Sequence, residues 1–176
     1  FFVCKGTVKV HKRWHSEKEL IMRYAKQGDS IGHLGLGNEP LYPVSATAME
    51  NTIVCYLNMD FFESTLKVNT HLTYKLMRFF ANELQESQRR MRDLAHMPVK
   101  ARIAQSLISL KNQFGLKENG LVDLEITRQD IASFAGASYE TLFKVVTELS
   151  NQNIIELCGK TIRIHNEELL SKIIRG

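Results

Sequence analysis

Apolar and polar positions follow two different periods along this chain. In the first third, short β-prone runs alternate with turn residues: Phe2-Val3 and Thr7-Val8-Lys9-Val10 flank Lys5-Gly6, residues 20–24 follow a polar turn at His15 to Glu19, Gln27-Gly28-Asp29 turns the chain again, and 53–57 closes the set. This spacing predicts an antiparallel roll or barrel. Residues 59–65 predict a brief helix with Phe61 and Phe62 for packing, and 71–95 a long one. In the long run Thr73, Met77, Phe80, Leu84, Ser87, Met91 and Leu94 follow alternating steps of four and three, a heptad seam. Leu72, Leu76 and Phe79 form a second stripe beside it. Two apolar faces predict two partners, most simply the β segment and the same helix of a second copy, the alternative being a single wide core stripe in a monomer.

His96-Met97-Pro98 interrupts the pattern, because proline cannot continue a helix without losing a backbone hydrogen bond. A domain boundary and hinge are expected there. Residues 99–113 then predict an amphipathic helix with Ile103, Leu107, Ile108 and Leu110 inward, 114–120 a polar loop, and 122–126 a short strand. The stretch 127–149 is the most informative in the chain. Thr127 with Asp130 three residues on is an Asp variant of a capping box, so a helix should start at Arg128. Gly136 falls where the chain must turn sharply, and Ser138 can cap a second helix. Leu142, Val145, Val146 and Leu149 recur at helical spacing and must face inward, which leaves Tyr139, Glu140 and Lys144 outside near the N-terminal end. The β-prone runs 154–157 and 161–164 around Cys158-Gly159-Lys160 predict a hairpin, and the whole reads as a winged helix-turn-helix.

With ITRQDIASFAGASYET at 126–141, NQNIIELCGKTIRI at 151–164 and RIAQSL at 102–107, the chain resembles the cyclic-AMP receptor protein and fumarate-nitrate reduction regulator superfamily of bacterial transcription factors. The resemblance implies an α+β fold: a cyclic-nucleotide-binding-type effector β-roll over residues 1–66, a long dimerisation helix over 67–97, and a DNA-binding winged helix-turn-helix over 98–176. It also implies that a segment of the roll precedes Phe1, since the sequence opens inside a strand. Double-stranded DNA, a second copy of the chain and RNA polymerase are the partners so implied, in the cytoplasm.

At the recognition positions, where relatives commonly carry Arg, Glu and Arg or Ser, this chain has Tyr139, Glu140 and Lys144. Glu140 can accept from a cytosine amino group, whereas Tyr139 cannot make the two-pronged guanine contact of an Arg. Lys144 is a point donor. Thr127, Arg128 and Ser138 suit phosphate through hydroxyl, guanidinium and helix-start amides, and Lys160 at the wing tip is a further phosphate candidate.

The segment GDSIGHLGL at 28–36 is similar to the cassette that holds the cyclic nucleotide phosphate in relatives. The resemblance makes Gly32, His33, Leu34, Ser45 and Ala46 candidate effector contacts, with Ser87 and Gln88 from the long helix. Here His33 replaces the glutamate that binds the ribose, and no Lys or Arg occurs between Lys26 and Lys67. A buried phosphate without a cation forgoes charge-assisted hydrogen bonds of about 1.5–3 kcal/mol each. Cyclic AMP is therefore disfavoured, and the effector is left unidentified. The glycines can make a small anion nest or simply shape a turn. The six histidines are expected to be solvent-exposed or simple hydrogen-bonding residues rather than metal ligands.

Composition refines this picture modestly. The net charge of +4 is not concentrated where DNA would bind: from Pro98 onward there are 10 Lys and Arg against 9 Asp and Glu, and before it 13 against 10. Cys4, Cys55 and Cys158 are too few and too scattered for a CxxC metal site or a disulfide framework, and are expected to be reduced thiols, buried or incidental. No apolar run approaches the roughly 18 residues of a membrane span. No nucleophile-base-acid set, Walker loop or metalloprotease spacing points to an enzyme. The leading reading is an effector-controlled dimeric regulator; the alternative is a small-molecule-sensing allosteric module that does not itself bind DNA.

Overall fold

The computed structural model describes residues 1–14, 18–38 and 41–176. It contains strands β1 (Phe2–Lys5), β2 (Val8–Trp14) and β3 (Lys18–Ala25), a 3-10 turn at His33–Leu36, strands β4 (Ser45–Ala48) and β5 (Ile53–Cys55), and helices α1 (Met59–Val68) and α2 (Thr70–His96). Helices α3 (Val99–Phe114), α4 (Arg128–Ala135) and α5 (Tyr139–Asn151), strands β6 (Ile155–Cys158) and β7 (Thr161–Ile164), and helix α6 (Glu167–Arg175) complete it. The polar turn expected at 15–19 lies partly outside the described residues.

The chain divides into two compact units, Phe1–Val8 with Tyr24–His96, and Lys9–Arg23 with Met97–Gly176. In the first, β1 runs antiparallel to β5, and Val3, Tyr24, Ala25 and Ile31 are buried. Asn58 starts α1 by accepting from the Asp60 amide at 2.9 Å, and Asn69 accepts from the Leu72 amide at 3.0 Å as α2 begins. On α2 the stripe Leu72, Leu76 and Phe79 is half-buried. The seam is open, with Met77 61%, Leu84 60% and Met91 65% exposed. Phe80 leaves the expected seam: it is half-buried, its ring centroid 5.7 Å from Phe79 and 5.9 Å from His33.

In the second unit Ile103, Ala104, Leu107 and Leu110 of α3 have no exposed surface, and α6 packs along α3 with Leu170 fully buried. Ile108 is half-buried rather than a core position. The strand expected at 122–126 does not form. Val122 and Leu121 make only isolated bridges, to Leu116 and Arg163, although Val122, Leu124 and Ile126 are buried. Their amides are satisfied singly instead, Val122 by the Ile162 carbonyl at 2.8 Å and Ile126 by the Lys160 carbonyl at 2.7 Å, so the segment lies against the β6–β7 hairpin without a ladder of its own. Helix α6 was not legible in the sequence, and neither was β4.

Candidate nucleic-acid interface

The Thr127 hydroxyl accepts from the Asp130 amide at 3.0 Å and donates to the Asp130 carboxylate at 2.6 Å, which starts α4 at Arg128 as the capping pattern predicts. The helix ends at Gly136, whose left-handed backbone (φ 62°) is one that side chains with a Cβ rarely adopt. Ser138 accepts from the Thr141 amide at 3.2 Å and opens α5. Leu142, Val145, Val146 and Leu149 of α5 are buried, which fixes its rotation. Tyr139, Glu140, Phe143, Lys144 and Thr147 consequently face out. Thr127, Arg128, Ser138 and Lys160 are exposed as well, Lys160 beside Gly159 in the β6–β7 turn.

Two features of this face escape a sequence reading. Phe143 is 52% exposed, one helical turn beyond Tyr139, and both rings border a groove of about 590 Å³ along with Arg128, Thr147, Asn153 and Glu156. An aromatic residue outside the inward stripe was the available signal. The other is Arg102 on α3, whose guanidinium donates to the carbonyls of Met97 (2.8 Å), Ala135 (3.1 Å) and Gly136 (3.1 Å). It therefore holds the entry to α3 and the α4–α5 turn together. The Glu140 carboxyl is held below its ordinary range by its own backbone amide and by the Ser138 hydroxyl, so it stands as an acceptor at the positive end of α5.

Charge is redistributed by the fold. The unit containing the helix-turn-helix holds 15 Lys and Arg against 11 Asp and Glu, whereas the other holds 8 against 8, so the whole net +4 resides in the unit that carries the candidate interface. The gain comes from the β2–β3 hairpin. Lys9 on β2 donates to Glu19 at 2.7 Å and to Asp130 of α4 at 2.8 Å, with all three side chains at 16% exposure or less. His11 Nδ1 lies 2.9 Å from the Glu19 carboxylate and is 3% exposed.

Burial disfavours charge on all four groups, but for three the pairing prevails. Hydrogen bonds from Lys9 keep Asp130 and Glu19 below their ordinary values, and those two carboxylates keep Lys9 above its own. For His11 burial prevails and the imidazolium is disfavoured. The lowered carboxylates contribute stability above their unfolded values of 3.8 and 4.5, lost as pH falls through the lower folded values. Lys9 contributes below 10.5 and loses its contribution as pH rises through the folded value. His11, also lowered, makes stability decline as pH falls below 6.5. Asp130→Asn is expected to cost about 1–2 kcal/mol at pH 7, with the gap to wild type closing below pH 3.8, as read by urea unfolding across pH 3 to 7.

The effector candidates occupy the first unit. The 3-10 turn carries Gly32 at its start, then His33 and Leu34; Ser45 and Ala46 are exposed on β4, and Ser87 and Gln88 are exposed on α2. Of the two roles expected for the histidines, exposed or paired through simple polar contacts, His33 takes the second: its side chain is 12% exposed, its ring meets Phe79 edge-on at 5.0 Å, and Nε2 lies 3.4 Å from Glu83. It fastens the turn to α2. The Gly35 amide is consumed by the Gly32 carbonyl and the Gly37 amide by the Leu34 carbonyl, and the Tyr42 ring lies where a Gly35 side chain would be. Those contacts favour the turn-shaping role of the glycines over an anion nest. Elsewhere on α2, burial disfavours the charge of Arg90, while Glu86 and Tyr24 support it. Among the described residues no cluster of three or more His, Cys, Asp or Glu could hold a metal.

The Crp-like helix-turn-helix domain matches residues 101–173 and the cyclic nucleotide-binding domain matches 1–69. The chain is 34% identical over 170 residues to the cAMP-activated global transcriptional regulator CRP of Salmonella typhimurium, covering 94% of this chain and 80% of that protein. The chain belongs to the CRP/FNR family of transcription regulators. Other CRP/FNR relatives include the anaerobic regulatory protein of Bacillus subtilis, 28% identical over 97% of this chain and 73% of that one. The same fold is seen in FixK2 from Bradyrhizobium japonicum, with a TM-score of 0.84 at 24% identity over 98% of this chain and 85% of that one. As a CRP/FNR member the chain is a DNA-binding transcription factor and not an enzyme. No helix among the described residues is long and apolar enough to cross a membrane.

Proposed function

We propose that the protein acts in the cytoplasm as a homodimer that binds a near-palindromic DNA site and is controlled by an effector other than cyclic AMP. In this reading residues 1–66 supply the effector roll, 67–97 the dimerisation helix and 98–176 the DNA-binding domain, with Lys9–Arg23 of the first segment belonging to the same compact unit as the DNA-binding domain. The observation that carries it is the outward face of α5, where Tyr139, Glu140, Phe143 and Lys144 stand together on the unit that holds the net positive charge. Glu140 accepts from a cytosine amino group and Lys144 donates to a base edge. Phe143 has no hydrogen-bonding atom, so the thymine methyl is its complement in the major groove. Thr127, Arg128, Ser138 and Lys160 bind phosphate. RNA polymerase is the downstream partner.

Selection of bound sequences from a random duplex pool, followed by titration, tests this. Half-site centres are expected roughly 34 Å apart. Arg128→Ala should weaken all sequences and reduce the salt slope by about 1, while Lys144→Ala should relax choice at one position. Phe143→Ala should remove the penalty for deoxyuridine at one thymine. Selection that yields no enriched sequence, or equal losses for Arg128→Ala and Lys144→Ala on every duplex, counts against these assignments.

Gly32, His33, Leu34, Ser45, Ala46, Ser87 and Gln88 are proposed to surround the effector. The relatives' name says that they are cAMP-activated. Against the same ligand here stands the lack of Lys and Arg between Lys26 and Lys67. Each missing charge-assisted bond is worth about ten- to a hundredfold in affinity. Calorimetric titration with cyclic AMP is expected to give a dissociation constant on the order of 0.1 mM or weaker; a value on the order of 1 µM would overturn the exclusion.

A further inference from the structure

Cys4 and Cys55 are 51 positions apart in sequence, yet the pairing of β1 with β5 makes them neighbours. Phe2 stands opposite Cys55, and the register slips between Val3 and Lys5, so Cys4 is the residue inside the irregularity. The result is a contact between two thiol sulfurs of 2.8 Å, with both residues exposed. Cys158, the third cysteine, belongs to the other compact unit.

We propose that Cys4 and Cys55 form a thiol oxidation site, a dithiol that peroxide converts reversibly to an intramolecular disulfide. The sulfurs need to approach by less than 1 Å to reach the covalent separation of about 2.05 Å. That is within the reach of a side-chain rotation on strands already held in register. Both exposed thiols are accessible to a small oxidant.

The Cys55 proton is held more tightly than usual, first because its thiol is hydrogen-bonded with Cys4. With its proton so held, Cys55 is assigned the second attack and Cys4 the first. The Cys4 thiolate attacks peroxide, forming an S–O bond as the O–O bond breaks and hydroxide leaves. The Cys55 sulfur then attacks the sulfenic acid; the S–S bond forms, the S–O bond breaks, and water leaves with the Cys55 proton. Two thiols lose two electrons and peroxide is reduced to two waters. A small dithiol reverses the step by exchange.

The test is stoichiometric oxidation of the dilute, pre-reduced protein with hydrogen peroxide, followed by intact mass, thiol titration under denaturing conditions and peptide mapping. A loss of about 2 Da, a fall from three titratable thiols to one, and a peptide joining Cys4 to Cys55 are expected, all restored by dithiothreitol. Cys55→Ser should leave a sulfenic acid on Cys4 that a dimedone-type reagent traps, with circular dichroism unchanged. Gain of oxygen without cross-linking in the wild type, a cross-link through Cys158 or between chains, or no loss of thiols would each overturn the proposal.

Discussion

Arg102→Met is expected to lower the stability of the helix-turn-helix unit by about 3 kcal/mol and to abolish tight DNA binding while leaving α2 helical. The guanidinium is the shared donor to three carbonyls, those of Met97, Ala135 and Gly136. Methionine preserves the packing of the stem, but all three acceptors lose a charged partner at once. In a unit of this size the loss corresponds to a fall in melting temperature on the order of 10–20 °C. Arg102→Lys should recover only part of it, since a point donor cannot serve three diverging acceptors. Melting curves for the two variants check this. A shift of only a few degrees in the Met variant would mean that the buried residues Ile131, Leu142 and Leu149 hold the turn without the clamp.

The second large effect concerns the seam on α2. Met77, Leu84 and Met91 expose large apolar side chains along one face, a surface that a solitary helix gains nothing by showing to water. Leu84→Glu combined with Met91→Glu is expected to leave a folded monomer by native mass spectrometry. It should reduce affinity for a two-half-site duplex by about 10²–10⁴-fold, since each half-site is then bound independently. Affinity for a single half-site should change little. A double variant that stays dimeric would move the proposed interface off this face.

The winged helix-turn-helix was legible because its signals are local. Thr127, Gly136 and Ser138 each mark a boundary through their own backbone chemistry, and the structure uses each where the sequence puts it. The inward stripe of α5 was legible for the same reason: its rotation follows from four apolar positions. What could not be read were relations between distant residues. Nothing near Cys4 announces Cys55, nothing near Asp130 announces Lys9, and nothing near His33 announces Phe79 and Glu83. The 122–126 segment fails differently. Its alternation is that of a strand, and its apolar residues are indeed buried, but the hydrogen-bonding edge beside it offers partners at only isolated positions.

The β2–β3 hairpin has a practical consequence for anyone recombining parts of such regulators. A cut at Pro98 yields a fragment that lacks Lys9 and the rest of the positively charged hairpin, leaving Asp130 without its cation beside the start of α4. A chimera joined at the same point carries a foreign hairpin whose residues were never matched to Asp130. The portable piece is therefore discontinuous in sequence, and an exchange of sensors that keeps this DNA reader intact must carry Lys9–Arg23 along with it.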